Sequence, residues 1–398
     1  MKSAFHHAGR IASALLAITL ASCGGGGGSS GGTASSNSSM GTLRLALTDA
    51  PACGYDAVNV TIQKVRVNQD ASASDTGAGW SEVVLSPARR IDLLSLTNGV
   101  LEDLGQTSLP AGKYTQMRLV LAPNDATSPM ANSVVPTGGT ETALTTPSGQ
   151  QSGLKLNIDI DVPADKVADF VLDFDACKSI VKRGNSGQYN LKPVVGVIPR
   201  LSDAGMRIVG FVDPSIATVT TNVSVQSNGV PLKATPPDAT GQFVLYPVPA
   251  GTYDLVVTSQ GHVTAVMTGV PVVTTAYTYV NSATVPIAPA AAASAPVSVT
   301  GTVTPATATV RALQTFAGGP TIEAAWAPVD ATTGAFSFSL TLGAPVKTAY
   351  APNPSMLAFA ADATAAGKYV IEAASGAATK TQAIDMNAAV PPIAFTFP

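Results

Sequence analysis

The chain has 398 residues, only 12% of them charged, and a formal net charge of −3. This length accommodates two or three domains with cores of their own. The charge balance leaves no basic field for nucleic acid or anionic lipid. Val, Thr, 36 Gly and 29 Pro recur along the chain, a composition that favours strands and turns and points to an all-β fold.

Lys2 and Arg10 precede an apolar stretch from Ile11 to Ala21, the charged and apolar regions of a secretory signal. The stretch is shorter than the ~20 apolar residues of a membrane-spanning helix. Leu20-Ala21-Ser22-Cys23 resembles a bacterial lipobox. The resemblance implies that residues 1–22 are a lipoprotein signal peptide and that Cys23 becomes a diacylated N-terminus, a membrane hook held by its acyl chains. Gly24 follows in place of the aspartate associated with inner-membrane retention, so the outer membrane is the expected location, with the exposed face left open. Residues 23–40 form a lipidated Gly/Ser-rich tether with an average span of about 20–25 Å. Cleavage leaves 20 Lys and Arg against 25 Asp and Glu, a balance of −5.

Apart from Cys23, only Cys53 and Cys177 remain. An even pair in an exported protein predicts a disulfide, which would contribute up to about 4–5 kcal/mol by closing so long a loop; two buried thiols are the alternative.

In the first folded region Leu43, Leu45 and Leu47 alternate with Arg44 and Ala46, and Val58, Val60 and Ile62 with Asn59 and Thr61. A period of two predicts half-buried strands, and Asp49-Ala50-Pro51 predicts a turn between them. Leu93 to Leu104 reads as a strand or a short helical turn, followed by a Pro110-Ala-Gly112 turn and another strand. In "GLKLNIDIDV" Leu154, Leu156, Ile158 and Ile160 share one face and Lys155, Asn157, Asp159 and Asp161 the other. Through "LTDAP", "DAVNVTIQKVRV", "LTNG", "LPAGKYTQMRLVL", "DFDACKSIV" and "YNLKPVV", residues 41–200 resemble the bacterial domain-of-unknown-function 4382 family. That resemblance implies a β domain in a surface-lipoprotein context and no activity or functional residues.

The next unit contains "NVSVQSNG" and "DATGQFVLYPVPAGTYDLVV", whose Pro249-Ala-Gly251 before Tyr253 repeats Pro110-Ala-Gly112 before Tyr114. Proline presets φ, glycine admits positive φ, and the tyrosine packs its ring while its hydroxyl bonds the backbone. Residues 205–287 are similar to the carboxypeptidase regulatory-like domains, small prealbumin-type β-sandwiches that are usually non-catalytic. Asp330, Gly334, Phe336, Gly367 and Tyr369 echo Asp238, Gly241, Phe243, Gly251 and Tyr253, which marks an internal repeat, although the interval from Gly334 to Tyr369 is much the longer. Residues 288–296 read as an extended Ala/Pro linker, and 297–398 as a C-terminal sandwich-like domain. The predicted architecture is therefore tandem Ig-like or prealbumin-like β-sandwiches behind a signal peptide and flexible tether.

Chemistry is sparsely encoded. With His6 and His7 in the signal, His262 is the one mature imidazole, and outside the Gly/Ser tether G-x-S-x-G, H-E-x-x-H and Walker patterns are absent. Asp49, Asp56, Asp173 and Asp175 lie within four residues of Cys53 or Cys177. Gathered by a disulfide they are candidates for calcium, which takes six to eight oxygen ligands; solvated aspartates on strands and turns are the simpler expectation. Trp80 and Trp326 are the only tryptophans available as stacking platforms for sugars, and core roles are the simpler expectation for these too. The sequence thus predicts a non-catalytic, lipid-anchored envelope protein without a cofactor, serving a binding, adhesive or structural role toward a protein or polysaccharide ligand, with oligomeric state open. An envelope-associated hydrolase and a calcium-stabilised adhesin are the alternatives.

Overall fold

The computed structural model describes residues 39–49, 54–146 and 153–398. The expected signal sequence, Cys23, the expected turn after Asp49 and Cys53 lie outside the described residues. Strands dominate, arranged in several separate sheets around three large apolar cores whose buried residues span 43–191, 208–287 and 299–397, with a small fourth cluster of Val256, Val266, Phe316 and Ile322. This is the architecture of tandem β-sandwiches. Among the described residues no helix is long and apolar enough to cross a membrane.

The first module comprises β1 (Met40–Asp49), β2 (Tyr55–Asn68), β3 (Ser81–Asp92), β4 (Glu102–Pro110), β5 (Gly112–Leu121), β6 (Ser133–Pro136), β7 (Thr142–Thr145), β8 (Leu154–Val162) and β9 (Val167–Phe174). A single helical turn, α1 (Ala176–Ser179), leads to β10 (Ile180–Lys182), β11 (Tyr189–Leu191) and β12 (Val195–Pro199). One sheet has the order β12-β9-β1-β4, and the other runs β10-β11-β7-β6-β2-β5-β8 with β3 beside β2. The alternation in the sequence becomes their facing surfaces. Leu43, Leu45, Leu47, Val58, Val60 and Ile62 are fully buried, while Lys155, Asn157, Asp159 and Asp161 of β8 face water. Leu93–Leu96 forms a 3-10 turn capped by the Asp92 carboxylate, and the strand resumes only at Glu102.

The second module contains β13 (Ile208–Phe211), β14 (Thr221–Ser227), β15 (Val230–Thr235), β16 (Gln242–Leu245), β17 (Gly251–Ser259), β18 (Ala265–Val272) and β19 (Thr278–Tyr279). Asn228 and Gly229 both have positive φ, 51° and 72°, and close the β14–β15 hairpin as a two-residue primed turn. The third module contains β20 (Val297–Thr304), β21 (Thr309–Thr315), β22 (Thr321–Ala327), β23 (Ala335–Leu340), β24 (Val346–Ala349), β25 (Ala360–Ala361), β26 (Lys368–Ser375), β27 (Ala378–Asp385) and β28 (Ile393–Thr396).

These two modules repeat one topology. The β16-β13-β19 sheet corresponds to β23-β20-β28, and β15-β14-β17-β18 to β22-β21-β26-β27. Gly241 and Gly334 occupy equivalent positions, with φ of +86° and +69°. A Cβ at either would stand 2.1 or 2.2 Å from a backbone carbonyl, that of Val212 or Val303. The long interval before Tyr369 is explained by β24 and β25. They leave the third module and extend the second module's sheet, β24 running parallel to β18. Val346, Tyr350, Leu357 and Phe359 from this insertion pack on the second core.

The two Pro-Ala-Gly corners need their glycines for different reasons. Gly112 has φ +144°. At Gly251 the constraint is instead close approach, because a Cβ would stand 2.8 Å from the Tyr253 hydroxyl and 3.0 Å from its Cζ. The 288–296 stretch runs without helix and is tied to the second module, Val263 N–H donating to Ala290 O at 3.0 Å and Ala292 N–H to Gly261 O at 2.8 Å.

Candidate functional site

All three modules meet around one polar cleft of about 510 Å³. The first supplies Asp173 at the end of β9, with Asp175, Cys177 and Lys178 on the α1 turn; the second supplies Asn222, Ser224 and Gln226 on β14 and Lys233 on β15; the third supplies Glu323 and Trp326 on β22. Local chain geometry fixes these groups. The Asp175 carboxylate caps α1 by accepting the Lys178 N–H at 2.9 Å, and the Asn228-Gly229 turn sets the register that places Lys233 opposite Val225.

Lys233 is 3% exposed. Its ammonium leaves the second module and contacts the Asp173 carboxylate, the Asp49 carbonyl at 3.1 Å and the Thr48 hydroxyl at 3.4 Å. A buried ammonium persists only where such partners replace water. The parallel pairing of β1 with β9 sets Thr48 directly beside Asp173. Asp49, also fully buried, accepts the Ala176 N–H at 2.9 Å. Burial pushes its carboxyl pKa well above the usual aspartate value; the Ala176 N–H opposes this and the Asp175 charge adds to it.

A second group of charges adjoins the first. Lys178 Nζ lies 3.4 Å from Asp175, 3.5 Å from Glu323, and 5.1 Å from the centre of the Trp326 ring. Arg311 reaches Glu323 at 3.5 Å and Glu372 at 2.6 Å. The Gln226 side-chain amide pairs with the Glu323 backbone in both directions, at 2.9 and 2.7 Å. Burial raises the pKa of Asp175 and of Glu323. Burial acts against the Lys178 ammonium, but the Asp175 and Glu323 charges together outweigh it and hold its pKa above the ordinary value. Desolvation therefore wins at the two acids and pairing wins at the amine. The charges compensate one another, and the arrangement suits holding modules together and accepting a neutral polar group.

The structure brings Asp49, Asp173 and Asp175 together and leaves Asp56 out. Asp56 is exposed on β2, accepting the Gly138 N–H at 3.2 Å. Within the gathered group the Lys233 ammonium contacts Asp173 and the Lys178 ammonium lies 3.4 Å from Asp175. Among the described residues no group of three or more His, Cys, Asp or Glu is arranged to hold a metal ion. Cys177 is buried at the cleft's edge. The half-buried His262 ring contacts the Gln260 carbonyl at 3.2 Å in a small cavity lined by Thr, Ser and Tyr369 without a carboxylate. Trp80 is stacked by Arg66 and Arg118, at 4.5 and 5.1 Å, and donates to Ser74 O at 2.9 Å, so it pins a loop. Trp326 instead lines the cleft.

Sequence reasoning missed Lys233, Lys178, Glu323 and Arg311. The signal available was a lone charge inside an apolar strand, as in "VPLKAT" and "TIEAAWA", in a chain with few charges to spend.

No curated protein matches the chain. Two solved structures that match are an N-terminal and a C-terminal interface mutant of a type II cohesin–X-dockerin complex from Acetivibrio cellulolyticus. The C-terminal mutant is 26% identical over 22% of this chain and 58% of that chain, and the N-terminal mutant 21% identical over 22% and 59%. Both give a TM-score of 0.19. The chain thus spans less than two thirds of the length of either. Residues 40–193, which carry most of the first core, match the family model described as Domain of unknown function (DUF4382).

Proposed function

We propose that this is a non-catalytic, lipid-anchored protein of the bacterial outer membrane whose three-module β body serves as a binding and structural surface. Cys23 carries the anchor and residues 24–40 hold the body off the bilayer. The observation that supports the reading best is the three-module cleft. Its acids and amines pair with one another across the modules, an arrangement that suits a structural junction. Trp326, Asn222 and Ser224 give it the apolar plate and hydrogen-bonding groups that suit a neutral polar ligand such as a saccharide.

The two remaining cysteines, Cys53 and Cys177, fit an exported protein. Asp49 Oδ1 accepts the Ala176 N–H, so the chain at position 49 lies beside Cys177, and Cys53 follows four positions later. A Cys53–Cys177 disulfide is part of the proposal.

Metabolic labelling with a fatty-acid analogue tests the anchor. Wild-type protein takes up label and sediments with membranes, whereas Cys23→Ser does neither. Equal labelling of both, or a wild-type protein that stays in the soluble fraction, overturns the proposal. Peptide mapping with and without reduction reads the disulfide in the same sample.

A further inference from the structure

We propose that Lys233 and Asp173 are joined by an intramolecular amide bond, a covalent clamp between the first and second modules. The observations are geometric. The Lys233 amine is buried and in direct contact with a carboxylate oxygen of Asp173. Its other neighbours, the Asp49 carbonyl and the Thr48 hydroxyl, hold it in place without offering a competing reaction. The Thr48 hydroxyl lies 3.0 Å from both the Leu96 and the Val100 carbonyls, to which it donates, so an oxygen lone pair is what faces the amine. Asp173 is held from its other side by the β1–β9 pairing. Nucleophile and electrophile thus come from separate modules and are fixed against each other, the arrangement in which an intramolecular reaction gains most over its bimolecular counterpart.

The reaction begins with transfer of one proton from the Lys233 nitrogen to the Asp173 carboxylate across their direct contact, giving an amine and a carboxylic acid. The amine lone pair then attacks Asp173 Cγ, the C–N bond forms, one C–O bond breaks, and the hydroxyl leaves with a proton as water. Lysine amine plus aspartic acid gives amide plus water, with no oxidant, reductant or cofactor consumed. Asp173 and Lys233 both line the 510 Å³ cleft, which receives the released water. Asp49 is a positioning residue. Its backbone carbonyl orients the amine, and its side chain accepts the Ala176 N–H, which holds the end of β1 in place.

The test is the mass of the folded full-length protein followed by tryptic mapping after reduction. The expected result is a chain lighter by one water molecule than its processed sequence. Trypsin would no longer cut after Lys233, and a branched peptide would join the segment containing Asp173 to that containing Lys233. Lys233→Arg abolishes the branch. In Asp173→Asn ammonia leaves instead of water, so its branched peptide has the wild-type mass. Separate, unmodified Asp173 and Lys233 peptides from wild-type protein overturn the proposal whether or not any variant folds. A water deficit carried by an unbranched peptide also overturns it, as does a branched peptide whose mass changes in Asp173→Asn.

Discussion

Tyr114 and Tyr253 close the same corner in two different modules. Each donates its hydroxyl to the carbonyl of the proline four residues earlier, Pro110 at 2.8 Å and Pro249 at 2.9 Å. Tyr369, the third member of the series, donates instead to Thr341 at 2.8 Å, because the inserted strands displace the preceding turn. Replacing Tyr114 or Tyr253 by Phe keeps the ring and removes one largely buried hydrogen bond. Each change is expected to cost about 1 kcal/mol, read as a lower urea midpoint with an unchanged slope.

Gly241 and Gly334 predict a larger loss. Alanine at either pays about 1–2 kcal/mol for the left-handed backbone, and its Cβ would overlap the Val212 or Val303 carbonyl. Both variants should unfold at clearly lower urea concentration than the tyrosine variants. Equal midpoints would show that the corner, and not the glycine contact, governs the repeat.

Asp49 predicts a pH dependence. Its carboxyl titrates near 3.8 in the unfolded chain and well above that when folded. Between those two values the native state holds the additional proton, so this residue's contribution is fully present below about pH 3.8 and declines as the pH rises through the folded pKa. Asp49→Asn retains the oxygen that accepts the Ala176 N–H and removes the ionisation. It should be more stable than wild type at neutral pH and show a flatter profile there, measured by urea unfolding over a pH series.

Val346→Pro tests the inserted strand. The Val346 N–H donates to Thr264 O at 2.8 Å, the first rung between β24 and β18. Proline removes it at an expected cost of about 1–2 kcal/mol. Amide exchange should rise along Ala265–Val272 in the second module, although the substitution lies in the segment that belongs to the third.

Much of the fold was legible because it follows from local pattern. The Leu43–Leu47 and Leu154–Ile160 alternations, the Pro-Ala-Gly-x-Tyr corners and the echo of Gly241 in Gly334 all appear as anticipated. Only the reason for Gly251 changed, from backbone freedom to the crowding of Tyr253. The rest was hidden because it depends on which modules touch. Nothing local marks Val346–Ala349 as the neighbour of Ala265–Thr268, or Lys233 as the partner of Asp173, for side chains that meet only across a module junction leave no periodicity. The aspartates near the cysteines were found by proximity in sequence, and their lysine was missed for lack of it.

The loan of β24 and β25 to the second module sets an order of events during synthesis. Residues 205–287 are made well before residue 346, so β18 emerges as a bare sheet edge, its outward N–H and C=O groups open to any passing strand. That edge is covered only once residues 346–361 follow, which ties the middle module's protection from aggregation to the first half of the module after it.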